Sequence, residues 1–143
     1  LSTESYTYAQ LLGRSMQYAN FIRDIAEDIQ LGRQYLPIEE MKNIGIKDLS
    51  EGSARENENL FKKFIALQID HYWSWQDEAE KGFKYIPVRY RIPIQTASDM
   101  YKWTIEKISK NPLLVYKKSL KPSRRKILSQ IVFNTLTGNR HEI

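Results

Sequence analysis

The chain has no cysteine, which excludes disulfides, thiolate nucleophiles and cysteine-ligated zinc and accords with a cytoplasmic setting. Histidine is almost missing: His71 and His141 stand far apart and form no metal-spaced pair. No apolar run reaches the roughly 18 residues that a bilayer-crossing helix needs. The opening stretch LSTESYTYAQ lacks the basic start and apolar run of a secretory signal. It also lacks an initiating Met, so the expectation is a fragment or a processed piece. Convincing strands are absent too. KYIPVRYRI comes nearest to alternation, and Pro87 within it and Pro93 directly after it count against it.

What is present is a chain of 143 residues, 41% of them hydrophobic, enough for one domain with a packed core. Charge is uneven. Residues 1–113 hold 15 Lys/Arg against 16 Asp/Glu, whereas the remainder carries Lys117, Lys118, Lys121, Arg124, Arg125, Lys126 and Arg140 against Glu142 alone. The basic excess is thus a C-terminal property, suited to anionic lipid, a phosphorylated ligand or nucleic acid.

Glycine and proline divide the chain into helices. The first is expected from Thr3 to Leu31, capped by Ser2 or Thr3 and ended by Gly32. A short one, PIEEMKNIG, follows Pro37 and closes at Gly45. The second long helix is expected from Ala54 to Lys81 with Ser53 as its cap, and the third from Val88 to Lys110, kinked or started by Pro93. The last, KPSRRKILSQIVFNTLTG, begins near Pro122. The fold class is all-α, a helical bundle spanning residues 1–143 as a single segment. The last helix joins a basic start to Ile127, Leu128, Ile131, Val132, Phe133 and Leu136. It is expected to be a core helix with a solvated start, the alternative being a helix lying on an anionic membrane.

At about 100° per residue, Leu11, Tyr18, Ile22, Ile25, Ala26 and Ile29 share the core side of the first helix. Arg23 and Glu27, four apart, are placed to pair on a second side. Gln17, Asn20, Asp24 and Asp28 gather on a third. That third arc reads either as plain solvated surface or as a ligand site. Two aspartates one turn apart repel by ~0.2–0.5 kcal/mol, and Asp is a poor helix former, so solubility alone would favour Glu and Lys there. Carboxylates with β-carbons about 6 Å apart suit Mg²⁺, which takes one or two carboxylates together with substrate phosphates. Asn20 and Gln17 can add amide oxygens. Arg33 and Tyr35, just past the helix, can take phosphate oxygens. His71, with Tyr72, Trp73 and Trp75 in HYWSWQD, reads as a packing residue rather than a ligand.

The stretch LGRSMQYANFIRDIAEDIQLGRQYLP resembles the second aspartate-rich signature of the squalene/phytoene synthase family. Gln17, Asn20, Arg23, Asp24, Asp28, Arg33, Tyr35 and Pro37 match it in one register. MKNIGIKDL, the segment with Pro87, Arg91, Ala97 and Tyr101, and YKKSLKPSRRK extend the likeness over nearly the whole chain, closer to prokaryotic phytoene or dehydrosqualene synthases than to the membrane-tailed eukaryotic enzymes. The resemblance implies the C-terminal half of a type I isoprenoid synthase fold, an all-α bundle around a cavity. It implies an Mg²⁺-dependent prenyltransferase that couples two farnesyl or geranylgeranyl diphosphates head-to-head through a cyclopropyl intermediate. By the same resemblance Asp24 and Asp28 are catalytic, as metal ligands with Asn20. Tyr35 is catalytic too, and Gln17, Asn20, Arg33 and Tyr101 contact diphosphate. Where the family tends to carry arginine, this chain has Lys117 and Lys118, which keep the charge and lose the bidentate fork.

The family's first aspartate-rich motif has no counterpart in this sequence. The expectation is that the chain alone is inactive and needs the missing N-terminal half, or a self-association partner, to complete the metal site. Two other readings are a non-catalytic relative that serves binding or assembly, and a basic helical nucleic-acid-binding protein. The near-neutral first 113 residues and the lack of a recognition motif count against the last, so no nucleic acid is expected. The expected location is cytoplasmic, with peripheral membrane contact through the basic end.

Overall fold

A computed structural model describes residues 3–117 and 120–138 of the chain. Ser2, Lys118, Arg140, His141 and Glu142, named above, lie outside the described residues. Among the described residues there is no strand. The elements are α1 (Thr3–Arg23), α2 (Ile25–Gln30), α3 (Ile38–Ile44), α4 (Glu51–Glu56), α5 (Glu58–Glu80), a 3-10 turn (Lys81–Tyr85), α6 (Val88–Lys110), a second 3-10 turn (Pro112–Tyr116) and α7 (Arg124–Gly138). No helix is long and apolar enough to cross a membrane among these residues.

The expected first helix is two segments. Asp24 interrupts it with φ −96° and ψ 16°, near the sparsely populated bridge region. Helical hydrogen bonding nonetheless runs through the junction, with Asp24 N donating to Asn20 O and Asp28 N donating to Asp24 O, each at 2.8 Å. The expected second helix is also divided. Ser50, not Ser53, is the cap: its side chain accepts from Ser53 N and starts α4, and Asn57 then separates α4 from α5. The α6 bounds match the expected ones, and the helix runs through Pro93.

Core formation follows period 3.6. On α5, Phe61, Phe64, Ile65, Ile69 and Tyr72 are buried and meet Ala19 and Ile22 of α1, Ile25 of α2, and Ile105 and Ile108 of α6. α1 lies along α5, the most extensive pairing in the fold, and also touches α6. Through this apolar contact runs a hydrogen-bond chain. Ser15 Oγ donates to Gln76 Oε1 (2.8 Å), and Gln76 Nε2 donates to Ser98 Oγ (2.6 Å), joining α1, α5 and α6 in the buried interior. At Gly82 a β-carbon would stand 2.3 Å from Tyr8 Cβ, so the absence of a side chain is what lets the first 3-10 turn close against α1.

α7 departs from the expected core helix. Its apolar residues face outward, with Leu128, Val132, Phe133 and Leu136 exposed by 62, 58, 59 and 65%. The reason lies in α6, which offers α7 polar groups. Buried Asn134 donates to Thr96 Oγ1 (3.1 Å) and Asp99 Oδ2 (2.9 Å), and Gln130 donates to the same Asp99 oxygen at 2.9 Å. The Lys126 ammonium lies 5.6 Å from the centre of the Trp103 ring.

Candidate functional site

The aspartate segment is shaped by its ends. Beyond α2, Gly32 takes φ +67°, a conformation that costs glycine little. Gly32 N donates to Ile29 O (3.0 Å) and Arg33 N donates to Asp28 O (2.8 Å). This pair of bonds is the Schellman motif. It turns the chain back so that Arg33 follows directly over Asp28. Pro37 then starts α3, and Tyr35 lies in the connection with its ring stacked on Phe21 at 4.5 Å and 10°.

Arg23 does not pair with Glu27. Its Nε and Nη2 donate to the two oxygens of Asp24, both at 2.6 Å. The break at Asp24 makes this fork-to-fork pairing between chain neighbours possible, and a bidentate contact outcompetes a single-point i,i+4 pair. The Arg23 side chain is 19% exposed, and its guanidinium pKa is raised, first by the bond to Asp24. The Asp28 carboxyl is pushed upward, first by burial and next by the charge of Asp24, with Arg33 opposing. Asn20 Nδ2 donates to the Tyr101 hydroxyl at 3.5 Å, so α6 reaches the same neighbourhood.

Asp28 sits with Arg33, Tyr35 and Phe21 around a niche of about 10 Å³, room for one water at most. Asp24 instead borders a groove of about 720 Å³ with Arg23, Glu27, Tyr116, Lys117 and Lys121. The two carboxylates are close enough to influence each other electrostatically but open onto different hollows. Gln17 is exposed on α1. A third, apolar hollow of about 250 Å³ lies at the start of α1, bordered by Tyr6, Ala9, Leu12, Phe83, Ile86 and Ile94.

Asp24, Asp28 and the Asn20 amide are hard oxygen donors of the kind Mg²⁺ takes. Among the described residues no group of three His, Cys, Asp or Glu side chains is placed to hold a metal. The donors do not form a closed cage, and the two carboxylates border separate hollows. Sequence reasoning missed Phe21 as the platform under Tyr35, and Lys121 and Tyr116 on the groove. Lys121 was visible as part of a basic run. Nothing in the spacing pointed to Phe21.

Comparison with known proteins bears on this arrangement. A family profile described as Squalene/phytoene synthase matches residues 2–128. The chain is 30% identical over 120 residues to a 15-cis-phytoene synthase of Synechocystis, covering 82% of this chain and 35% of that protein. It is 34% identical over 113 residues to the chloroplastic phytoene synthase 2 of Oryza sativa, covering 77% and 28%. It is 32% identical over 111 residues to the chloroplastic phytoene synthase 1 of Solanum lycopersicum, covering 77% and 27%. The chain therefore spans about a third of the length of these relatives.

Proposed function

Since the chain belongs to the squalene/phytoene synthase family, we propose that it supplies the second carboxylate helix of a prenyltransferase that condenses two allylic prenyl diphosphates head-to-head. The names of the relatives favour phytoene as product, and geranylgeranyl diphosphate is the substrate that the family resemblance implies for it. The observation that carries this reading is the turn at Gly32, which delivers the Arg33 cation to Asp28 one helical turn from Asp24.

In this reading Asp24, Asp28 and Asn20 would hold the diphosphate's Mg²⁺, which would supply Lewis-acid neutralisation of the leaving group's charge. Arg33, Gln17 and the Tyr101 hydroxyl orient the phosphate oxygens, and Lys117 adds charge from across the groove. Arg23 fixes the Asp24 carboxylate in one orientation before ligand binds. Tyr35, held by its stack on Phe21, closes the niche over Asp28 and limits water. On the same face of α1, Ala9 and Gly13 are small. A β-carbon at Gly13 would meet nothing within 4 Å, so the helix leaves space for an apolar tail running toward the hollow bordered by Ala9 and Leu12, roughly 20 Å along the axis from Asp24.

Titration of the chain with Mn²⁺ and an unreactive geranylgeranyl thiodiphosphate, followed by electron paramagnetic resonance, tests the site. Asp24→Ala is expected to weaken joint binding at least tenfold; unchanged binding rules the assignment out. Because the donors do not form a closed cage, the 143-residue chain by itself is expected to give no coupled product from labelled geranylgeranyl diphosphate. Turnover would show that the chain needs no further ligands.

A further inference from the structure

The connection that carries Arg33 and Tyr35 is fastened on both sides. One fastening is the stack of Tyr35 on Phe21. The other lies just beyond Pro37, at Glu40 of α3. Gln68 of α5 is fully buried, and its Nε2 donates to Glu40 Oε2 at 2.7 Å. The other end of the same amide accepts from the Tyr18 hydroxyl of α1 at 2.5 Å. His71 Nε2 stands 3.0 Å from the second Glu40 oxygen. Both oxygens of this carboxylate are thus engaged by α5 and, through Gln68, tied to α1.

The chemistry of the donors allows one arrangement. An ionised carboxylate only accepts, so Gln68 Nε2 and His71 Nε2 must both present protons to Glu40. That leaves Gln68 Oε1 to accept from Tyr18. Burial first, and the Glu40 charge next, push the Tyr18 hydroxyl up to about 12, so it remains a donor at neutral pH. The Tyr18 ring meets Phe21 edge-on at 6.3 Å and 70°, and Phe21 is the platform of Tyr35. The two fastenings are therefore one assembly, joined at Tyr18. An imidazole can gain charge between about pH 5 and 8. The groups facing His71 are Glu40 from α3, Tyr18 from α1 at 6.5 Å and Trp75 of its own helix at 6.2 Å; Arg14 of α1 stands 5.4 Å from the centre of the Trp75 ring. Glu40 is the carboxylate among them, and a proton on His71 adds Coulomb attraction to the bond they already share.

We propose that Glu40 is a positioning residue for the candidate diphosphate site: it clamps α3, and with it the Arg33–Tyr35 connection, in place over Asp28, and protonation of His71 tightens the clamp. Leu36, Pro37, Ile38 and Glu39 are all that separate Tyr35 from Glu40, so a loosened α3 frees the connection directly. Glu40 borders neither of the hollows beside the aspartates and acts through the residues that do. A connection that samples other positions binds ligand in proportion to the fraction of time it is in place. The consequence for ligand binding rests on the diphosphate reading; the clamp itself operates with no ligand bound. Buried Leu36 and Met41 keep α3 packed when Glu40 is changed, so the variants are expected to fold.

Nuclear magnetic resonance of the ligand-free chain tests the clamp alone. Between about pH 5 and 8 the Arg33 and Tyr35 amide signals are expected to follow the His71 imidazole titration in the parent and to stop following it in Glu40→Gln. The titration with Mn²⁺ and geranylgeranyl thiodiphosphate then reads the consequence. Near pH 6, Glu40→Ala is expected to weaken joint binding about tenfold and Glu40→Gln about fivefold. His71→Gln is expected to show the ligand's own ionisation and nothing more. Against that baseline, parent binding is expected to weaken about threefold between about pH 6 and 8. A Glu40 that served stability alone would lower the unfolding midpoint and leave this pH step in place. If Glu40→Ala fails to fold, Glu40→Gln, which keeps the size of the side chain, decides by the same measures. Arg33 and Tyr35 signals unmoved by the His71 titration overturn the proposal, as does a Glu40→Gln chain that titrates and binds like the parent. Signals that follow His71 in a chain that binds no thiodiphosphate uphold the clamp and refute the diphosphate reading instead.

Discussion

α5 and α7 carry the same kind of sequence pattern and face opposite ways. On α5 the apolar stripe of Phe61, Phe64, Ile65 and Ile69 is buried against α1 and α6. On α7 the corresponding stripe is open, and the buried residue is Asn134. Period 3.6 says that a helix has two faces; it does not say which one the rest of the molecule wants. The neighbour decides. α1 presents Ala19 and Ile22 to the core that α5 joins, while α6 presents Thr96 and Asp99 to α7.

Truncations at matched positions sharpen this contrast most strongly. Phe64→Ala on α5 is expected to destabilise the chain by ~3–5 kcal/mol in urea unfolding. Val132→Ala on α7 is expected to stay within about 0.5 kcal/mol. Equal losses would mean that the two stripes are buried alike. Next in size, Asn134→Ala removes the polar anchor of α7 and leaves a bond of Asp99 unmade. The expected cost is ~1–3 kcal/mol, with amide exchange accelerated in α7 and unchanged in α5. Uniform acceleration would show that α7 is not separately held.

A buried polar atom on α5 gives the converse case. Among the described residues the Tyr72 hydroxyl has no hydrogen-bond partner, and burial first, then the acidic groups around it, push its pKa well above the usual phenol range. Tyr72→Phe is therefore expected to raise stability by up to ~1 kcal/mol. A loss of that size would reveal a partner for the hydroxyl.

The smallest effect is a pH dependence at the α5–α6–α7 junction. Lys102 Nζ lies 2.6 Å from Glu80 and 3.0 Å from Asp99, the residue that also holds Asn134. Burial alone would lower the Lys102 pKa, but the bonds to Glu80 and Asp99 outweigh it and raise the value above 10.5. A raised lysine stabilises the fold while protonated, and that contribution is lost as pH rises through the folded value. Unfolding measured across the alkaline range is expected to show this loss in the parent and not in Lys102→Met. Identical alkaline profiles would remove Lys102 from the junction.

Much of the architecture was legible in the sequence because punctuation and packing agree. Gly32 and Gly45, both at positive φ, end α2 and α3 where a glycine stop was expected, and α6 begins after Pro87. The divisions at Asp24 and Asn57 were not legible, since each is a one-residue departure inside a sequence that remains helical on average. The family signature marked the segment from Gln17 to Pro37. It did not reveal that Arg23 turns to its own neighbour or that Asp24 and Asp28 open onto separate hollows, because both depend on the local backbone angle at Asp24. The orientation of α7 was hidden for a different reason. It is set by polar groups of α6 35 and 38 residues before Asn134, Asp99 and Thr96, which read as ordinary helix surface.

Two helices in purely oily contact can slide; a pair of bonds at 2.6 and 2.8 Å cannot. Ser15, Gln76 and Ser98 therefore act as an index pin for the axial position of α1. A slip of one turn would displace Asn20 and Asp24 by about 5.4 Å and carry them past Tyr101. The height at which the acidic groups arrive beside α6 is thus fixed by three neutral polar side chains deep in the interior, none of which touches the site.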